Sequence, residues 1–131
     1  MISKFDIINA SAGSGKTFAL TQRILVKILK SKDENYFKRI LALTFTNRAA
    51  EEMKSRILNA LKNFSDPKII GNPSEMFVQI KKELKISSDK INRLSKERLN
   101  LLLHNYSFFQ IETLDSFNHH IIRSFSNELN L

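Results

Sequence analysis

The residues with the clearest chemistry are Gly13, Ser14, Gly15, Lys16 and Thr17, set between the apolar Ile7-Ile8 and the helical run that begins Phe18-Ala19-Leu20. Two glycines flanking one serine let the backbone close around an anion with its N–H groups turned inward. A helix opening at that point adds unpaired amides and the positive end of its dipole. In such a loop Lys16 reaches the β- and γ-phosphates of a nucleoside triphosphate, and the Thr17 hydroxyl is placed on Mg²⁺. The pattern GxxxxGK[ST] asks for glycine at the position where this chain has Ala10, and a small residue there still lets the chain leave the strand. The plain alternative is a glycine-rich turn before an amphipathic helix. The context of an apolar run before the loop and a helical pattern after it argues for the phosphate reading.

Of the 131 residues, 42% are hydrophobic and 26% charged, which fits one globular domain with a single core. The 21 Lys and Arg outnumber the 13 Asp and Glu, and the net charge of +8 favours a polyanionic partner such as nucleic acid. A lysine-rich solvated surface would carry the same charge. With no cysteine there is no disulfide framework and no thiolate metal site, which suits a cytoplasmic chain. No apolar run approaches the ~18 residues of a membrane span. With only a few residues before the phosphate loop, no removable signal peptide is expected.

The elements that must position the loop follow from periodicity. Lys4 to Asn9, with Phe5, Ile7 and Ile8, predicts a short buried strand. The helix after Lys16 places Leu20, Ile24, Leu25, Ile28 and Leu29 on one face and Arg23, Lys27 and Lys30 on the other, ending near Ser31 to Asn35. Arg39 to Phe45 is an apolar run of strand length, as in a parallel strand covered on both faces. Strand, helix and strand in that order predict an α/β fold with a parallel sheet. Thr46 or Asn47 caps a second helix with Glu51 and Glu52 in its first turns and Ala50, Met53, Ile57, Leu61 and Phe64 buried.

After a turn-rich link, Asn72-Pro73 with Glu75 reads as a helix start, and Phe77, Ile80 and Leu84 face inward from that helix. Ser87 or Ser88 opens another, with Ile91, Leu94 and Leu101 or Leu102 as its apolar face. These two helices serve packing or form a surface insertion. Ser107 to Thr113 alternates like a third strand, and Asp115 or Ser116 caps a last helix whose Phe117, Ile121, Phe125 and Leu129 recur every four residues.

Three blocks together resemble the first RecA-like lobe of UvrD/RecB-type DNA helicases of superfamily 1A. Ala10-Ser11-Ala12-Gly13-Ser14-Gly15-Lys16-Thr17 is similar to that family's motif I, and Leu41 to Met53, containing Thr44-Phe45-Thr46-Asn47-Arg48-Ala49-Ala50-Glu51-Glu52-Met53, is similar to motif Ia. Ile111-Glu112-Thr113-Leu114-Asp115-Ser116-Phe117 resembles motif Ic, where many members have histidine in place of Asp115. The wording of motif I, so near the amino end, is more like the RecB/AddA helicase-nuclease branch than the UvrD/Rep branch.

The resemblance implies a P-loop NTPase (RecA-like) three-layer fold, here incomplete, with residues 65–105 as a helical insertion. It implies that Ala10 to Thr17 hold ATP and Mg²⁺, and that Thr44, Phe45, Asn47, Thr113 and Ser116 line a track for single-stranded DNA. Strand ends and helix starts in parallel sheets are where amides meet phosphates and aromatics stack bases, so general physics points the same way. For Phe45 the alternative is ordinary core, and for Thr46 and Asn47 it is helix capping. Lys54, Arg56 and Arg123 either extend the phosphate-tracking surface or are solvated faces. His104, His119 and His120 lack the spacing of a metal site, and no hydrolase triad is evident.

Hydrolysis needs an acidic residue for Mg²⁺ and a group to orient water, usually at the end of a later apolar strand. No apolar run here ends in Asp-Glu, and Asp33-Glu34 belongs to a polar loop. The arginine fingers and the second lobe that the resemblance implies are also missing. The chain is therefore expected to be an amino-terminal fragment of a larger helicase subunit, working with a partner subunit on DNA ends in repair or recombination. Two other classes stay open: a non-catalytic nucleic-acid-binding module, and a small P-loop phosphotransferase. An incomplete sheet would leave an apolar face exposed, so association or aggregation is expected.

Overall fold

Ile40-Leu41-Ala42-Leu43-Thr44 is apolar at four of its five positions, and it forms the central strand of the sheet with only Leu43 half-exposed. The computed structural model describes the backbone of residues 6–9 and 14–129 and the side chains of residues 17–129. In chain order it contains β1 (Asp6–Asn9), α1 (Ser14–Lys30), β2 (Ile40–Thr44), α2 (Asn47–Ser65), α3 (Glu75–Leu84), α4 (Ser88–His104), β3 (Gln110–Thr113) and α5 (Leu114–Glu128). Short 3₁₀ turns lead into β2 and β3 and follow α2.

The three strands lie in the order β1-β2-β3, all parallel. Ile7 stands beside Leu41 and Asn9 beside Leu43, while Ala42 pairs with Ile111 and Thr44 with Thr113. Side chains alternate across a strand, so Ile40, Ala42 and Ile111 share one face. All three are buried in the main core, beneath α2. Leu43 and Glu112 point to the opposite face, where His120 of α5 comes within 3.2 Å of the Glu112 carboxylate. Thus α1 to α4 form the layer on one side and α5 lies over the other. The α/β architecture with a parallel sheet agrees with the periodicity.

The helix cores agree closely with their sequence patterns. Ile24, Leu25, Ile28 and Leu29 of α1 are buried, and so are Ala50, Met53, Ile57, Leu61 and Phe64 of α2, whereas Leu20 is only partly covered. Phe77 and Ile80 bring α3 into the same core, with the Phe77 ring edge-on to Phe64 at 5.3 Å between centroids. Ile91 and Leu102 of α4 are fully buried as well. These two helices are therefore packed against α1 and α2 and continue the same apolar cluster.

Several boundaries differ from expectation, two of them because a different side chain took the helix cap. Ser74, not Asn72, caps α3 by accepting the Phe77 N–H, so Pro73 stands outside the helix. Thr113, not Asp115 or Ser116, caps α5, which therefore starts directly after the strand. Tyr106–Phe108 is a 3₁₀ turn, so β3 begins at Gln110 rather than Ser107. The acidic residues of α2 fall beyond its first turn.

Two further features were not legible from periodicity. Helix α4 carries Asn92, Ser95 and Arg98, spaced by three and all buried. Asn92 and Arg98 bond to backbone carbonyls, but the fully buried Ser95 hydroxyl has no hydrogen-bond partner among the described residues. In contrast, α5 has no buried residue, and Leu114, Ile121, Ile122, Phe125 and Leu129 are each 40–62% exposed. An apolar stripe forms the helix but needs a facing surface to be buried, and none is supplied among the described residues.

These packing relations predict two opposite outcomes in thermal or urea unfolding. Phe77→Ala should cost about 3–5 kcal/mol, as for a core aromatic, rather than the near-zero change of a peripheral helix. Ser95→Ala removes a buried hydroxyl without a partner among the described residues and should stabilise the chain by about 1 kcal/mol.

Candidate functional site at the carboxyl ends of the strands

Because the strands are parallel, β1, β2 and β3 all end on one rim, and α1, α2 and α5 begin there. A ligand at such a rim meets the unpaired amides of several helix starts at once. Of the loop expected to hold phosphate, Ala10, Ser11, Ala12 and Gly13 lie outside the described residues. Ser14, Gly15 and Lys16 are described only as the helical backbone that opens α1, which is where the motif requires the helix to start. Thr17 stands in the first turn of α1, partly covered. Its carbonyl accepts the hydroxyl of Thr21 at 2.7 Å, and that buried hydroxyl also lies 3.9 Å from Met53 Sδ on α2. Thr21 thereby joins the starts of the two helices. Its spacing is that of a core residue, and only its polar type could have singled it out.

At the ends of β2 and β3 the residues expected to line a strand-binding track come together. Thr44 is buried, and its hydroxyl is shared between the carbonyls of Thr46 at 3.0 Å and Glu112 at 3.4 Å, which binds the β2–α2 turn to β3. Thr113, its register partner, is also buried, and its hydroxyl oxygen accepts the Ser116 N–H at 3.1 Å while lying 3.0 Å from the Ser116 hydroxyl. Both threonines thus hold the rim in shape through bonds within the chain. Thr46 caps α2 by accepting the Ala49 N–H at 3.0 Å, which leaves Asn47 as the exposed first residue of that helix. Phe45 is 71% exposed, which excludes the core reading for its ring. Beside it the Arg48 side chain is 91% exposed, held only loosely by Glu52 at 3.4 Å.

The local electrostatics suit an anion. Neither α1 nor α2 has an acidic residue in its first turn to offset its dipole, whereas α5, which opens on the same rim, carries Asp115 in its own. Of the other candidates, Arg56, His119 and Arg123 are exposed, and Lys54, His104 and His120 are engaged with neighbours. Lys54 pairs with Glu51 at 3.6 Å and lies over the Tyr106 ring at 5.4 Å. Burial, and secondarily the Glu51 carboxylate, push the Tyr106 phenol above its ordinary range, away from any titration near neutrality. His104 Nδ1 lies 2.7 Å from the Asn100 carbonyl and His120 lies against Glu112. No group of three or more metal-ligating side chains occurs among the described residues. No helix among them is long and apolar enough to cross a membrane.

The chain is 32% identical over 100 residues to an ATP-dependent helicase/nuclease subunit of Exiguobacterium sibiricum, covering 76% of this chain and 8% of that protein. It is 33% identical over 106 residues to the protein of the same name from Clostridium acetobutylicum, covering 81% of this chain and again 8% of the relative. Over a shorter stretch of 56 residues, 43% of this chain and 4% of the relative, the Bacillus mycoides counterpart is 48% identical. The chain thus spans about 8% of the length of the first two relatives. No solved structure matches it. A sequence-family model of the UvrD/REP helicase N-terminal domain matches residues 3–131, essentially the whole chain, and the protein belongs to that family.

Proposed function

We propose that this chain is the ATP-binding and single-strand-contacting part of the first RecA-like lobe of an ATP-dependent DNA helicase of the helicase-nuclease type. One observation carries the reading: the helix that opens with Ser14-Gly15-Lys16-Thr17 and the helix that follows Thr44-Phe45-Thr46 and opens with Asn47 start on the same rim of one parallel sheet. A nucleotide and a DNA strand held there would be neighbours, as a motor that converts one grip into the other requires.

In this reading the amides of Gly13 to Lys16 and the Lys16 ammonium hold the β- and γ-phosphates, while the Thr17 hydroxyl ligates Mg²⁺. The ion's chemistry is to neutralise charge on the phosphate oxygens. The absence of carboxylates from the first turn of α1 fits an anionic ligand at that end. Phe45 offers its ring to a base, and Asn47 and the free amides at the start of α2 meet the adjoining phosphate. Thr44, Thr113 and Ser116 support that shelf from beneath and beside it. Residues 65–105 are then a helical insertion that has become part of the lobe's core. The larger protein would act on DNA ends with a partner subunit in repair or recombination, in the cytoplasm.

None of the described strands ends in an acidic pair, so the chain should bind nucleotide without turning it over. A non-catalytic nucleic-acid-binding module is favoured instead if DNA affinity is indifferent to ATP.

Binding of a fluorescent ATP analogue should fall by at least about tenfold in Lys16→Ala, the loss expected when a charge-assisted phosphate contact is removed. Equal affinity in the two proteins would overturn the nucleotide assignment. For an oligothymidylate, Phe45→Ala should weaken binding by about 5- to 100-fold, the range for losing one base-stacking platform. Asn47→Ala should reduce affinity less. Binding should weaken steeply with salt, and a Phe45→Ala protein that binds like wild type would remove the shelf from the proposal.

A further inference from the structure

Two of the three helices that open at the rim, α1 and α2, end against α4, and the contacts are made by side chains rather than by packing alone. Asn92 Nδ2 donates to the Phe64 carbonyl at 2.8 Å and to the Asp66 carbonyl at 3.3 Å, at the end of α2. Arg98 Nε donates to the Ile28 carbonyl at 3.2 Å and its Nη2 to the Ser31 carbonyl at 3.1 Å, at the end of α1. The last carbonyls of a helix have no partner within it, and a cation beside them also meets the negative end of the dipole. Arg98 provides both, across 67 to 70 residues of sequence.

This contact is costly to leave. The Arg98 side chain is only 5% exposed, and the nearest carboxylate, the half-exposed Glu97, lies at 3.8 Å. Its Nη1 is buried without a hydrogen bond among the described residues. A buried guanidinium that lost the α1 carbonyls as well would keep its desolvation cost with little in return. Position and orientation of the α1 terminus are therefore set from α4.

The consequence lies at the other end of α1. A 17-residue helix is a rod of about 25 Å. Pivoting it by 10° about its far end moves the near end by about 4 Å, whereas phosphate ligands lose their effect when misplaced by about 1 Å. We propose that Arg98 is a positioning residue for the nucleotide site: by holding the carboxyl end of α1 it fixes where the amino-terminal turn of that helix meets the phosphates. The inference rests on the reading that this loop binds a triphosphate, and Asn92, which makes the equivalent contact with α2, provides the internal control.

The test measures affinity for the fluorescent ATP analogue in the wild-type chain and in Lys16→Ala, Arg98→Met, Arg98→Lys and Asn92→Ala. Each protein is held at a temperature where circular dichroism shows it folded. Arg98→Met is expected to bind about fivefold or more weakly, with Arg98→Lys recovering part of the loss because its ammonium still reaches one carbonyl. Asn92→Ala, although comparably destabilised, should stay within about twofold of wild type. A folded Arg98→Met, or Arg98→Lys if Met does not fold, that binds as tightly as wild type overturns the proposal. An equal loss in Asn92→Ala also overturns it, since the effect would then follow general stability. If wild-type binding is indifferent to Lys16→Ala, the nucleotide reading itself fails, and the Arg98 role falls with it for that separate reason.

Discussion

The structure depends on the burial of β2 between two parallel neighbours. A strand covered on both edges and both faces gives up its backbone to β1 and β3 and its side chains to the core, so its direction and register are set. Parallel pairing then forces every connection to cross back over a face of the sheet, which brings all three following helices to start at one rim. The site is therefore a product of topology before it is a product of particular side chains. Thr44 and Thr113 show the same thing at closer range, since their buried hydroxyls tie turn, strand and cap together and leave Phe45 and Asn47 projecting.

Burial and exposure divide the chain unevenly. On one side of the sheet, α1 to α4 share a continuous core in which α4 closes the ends of α1 and α2 with Arg98 and Asn92. On the other, α5 is held at its start by the Thr113 cap and further along by the His120–Glu112 contact, with its apolar stripe open to solvent. Exposed apolar area of that extent commonly marks a surface that another element or molecule covers. The same asymmetry explains why a helix with strong amphipathic character contributes no buried side chain.

Much of this was readable from residue patterns, for identifiable reasons. The α2 stripe of Ala50, Met53, Ile57, Leu61 and Phe64 was legible because a long amphipathic helix leaves little choice of face. The central strand was legible because an apolar run of strand length after an amphipathic helix left little choice of element. Cap positions were not: Ser74 and Thr113 competed with nearby Asn72, Asp115 and Ser116, and only the path of the chain decides between such residues. Nor was the buried polar stripe of α4 legible, because Arg98 and Asn92 look like solvent residues until the ends of two other helices are seen to meet them. The exposure of α5 was hidden for the converse reason, as periodicity reports that an apolar face exists but not that anything covers it.

The central claim is that nucleotide and single strand are gripped side by side at the carboxyl ends of β1, β2 and β3. Amide chemical-shift mapping by two-dimensional NMR, with a nonhydrolysable ATP analogue and an oligothymidylate added separately, tests it most directly. The analogue is expected to move resonances at the start of α1, and the oligonucleotide those of residues 44–48 and 113–116. Shifts confined to the opposite end of the sheet, around residues 36–40 and 106–110, would contradict it.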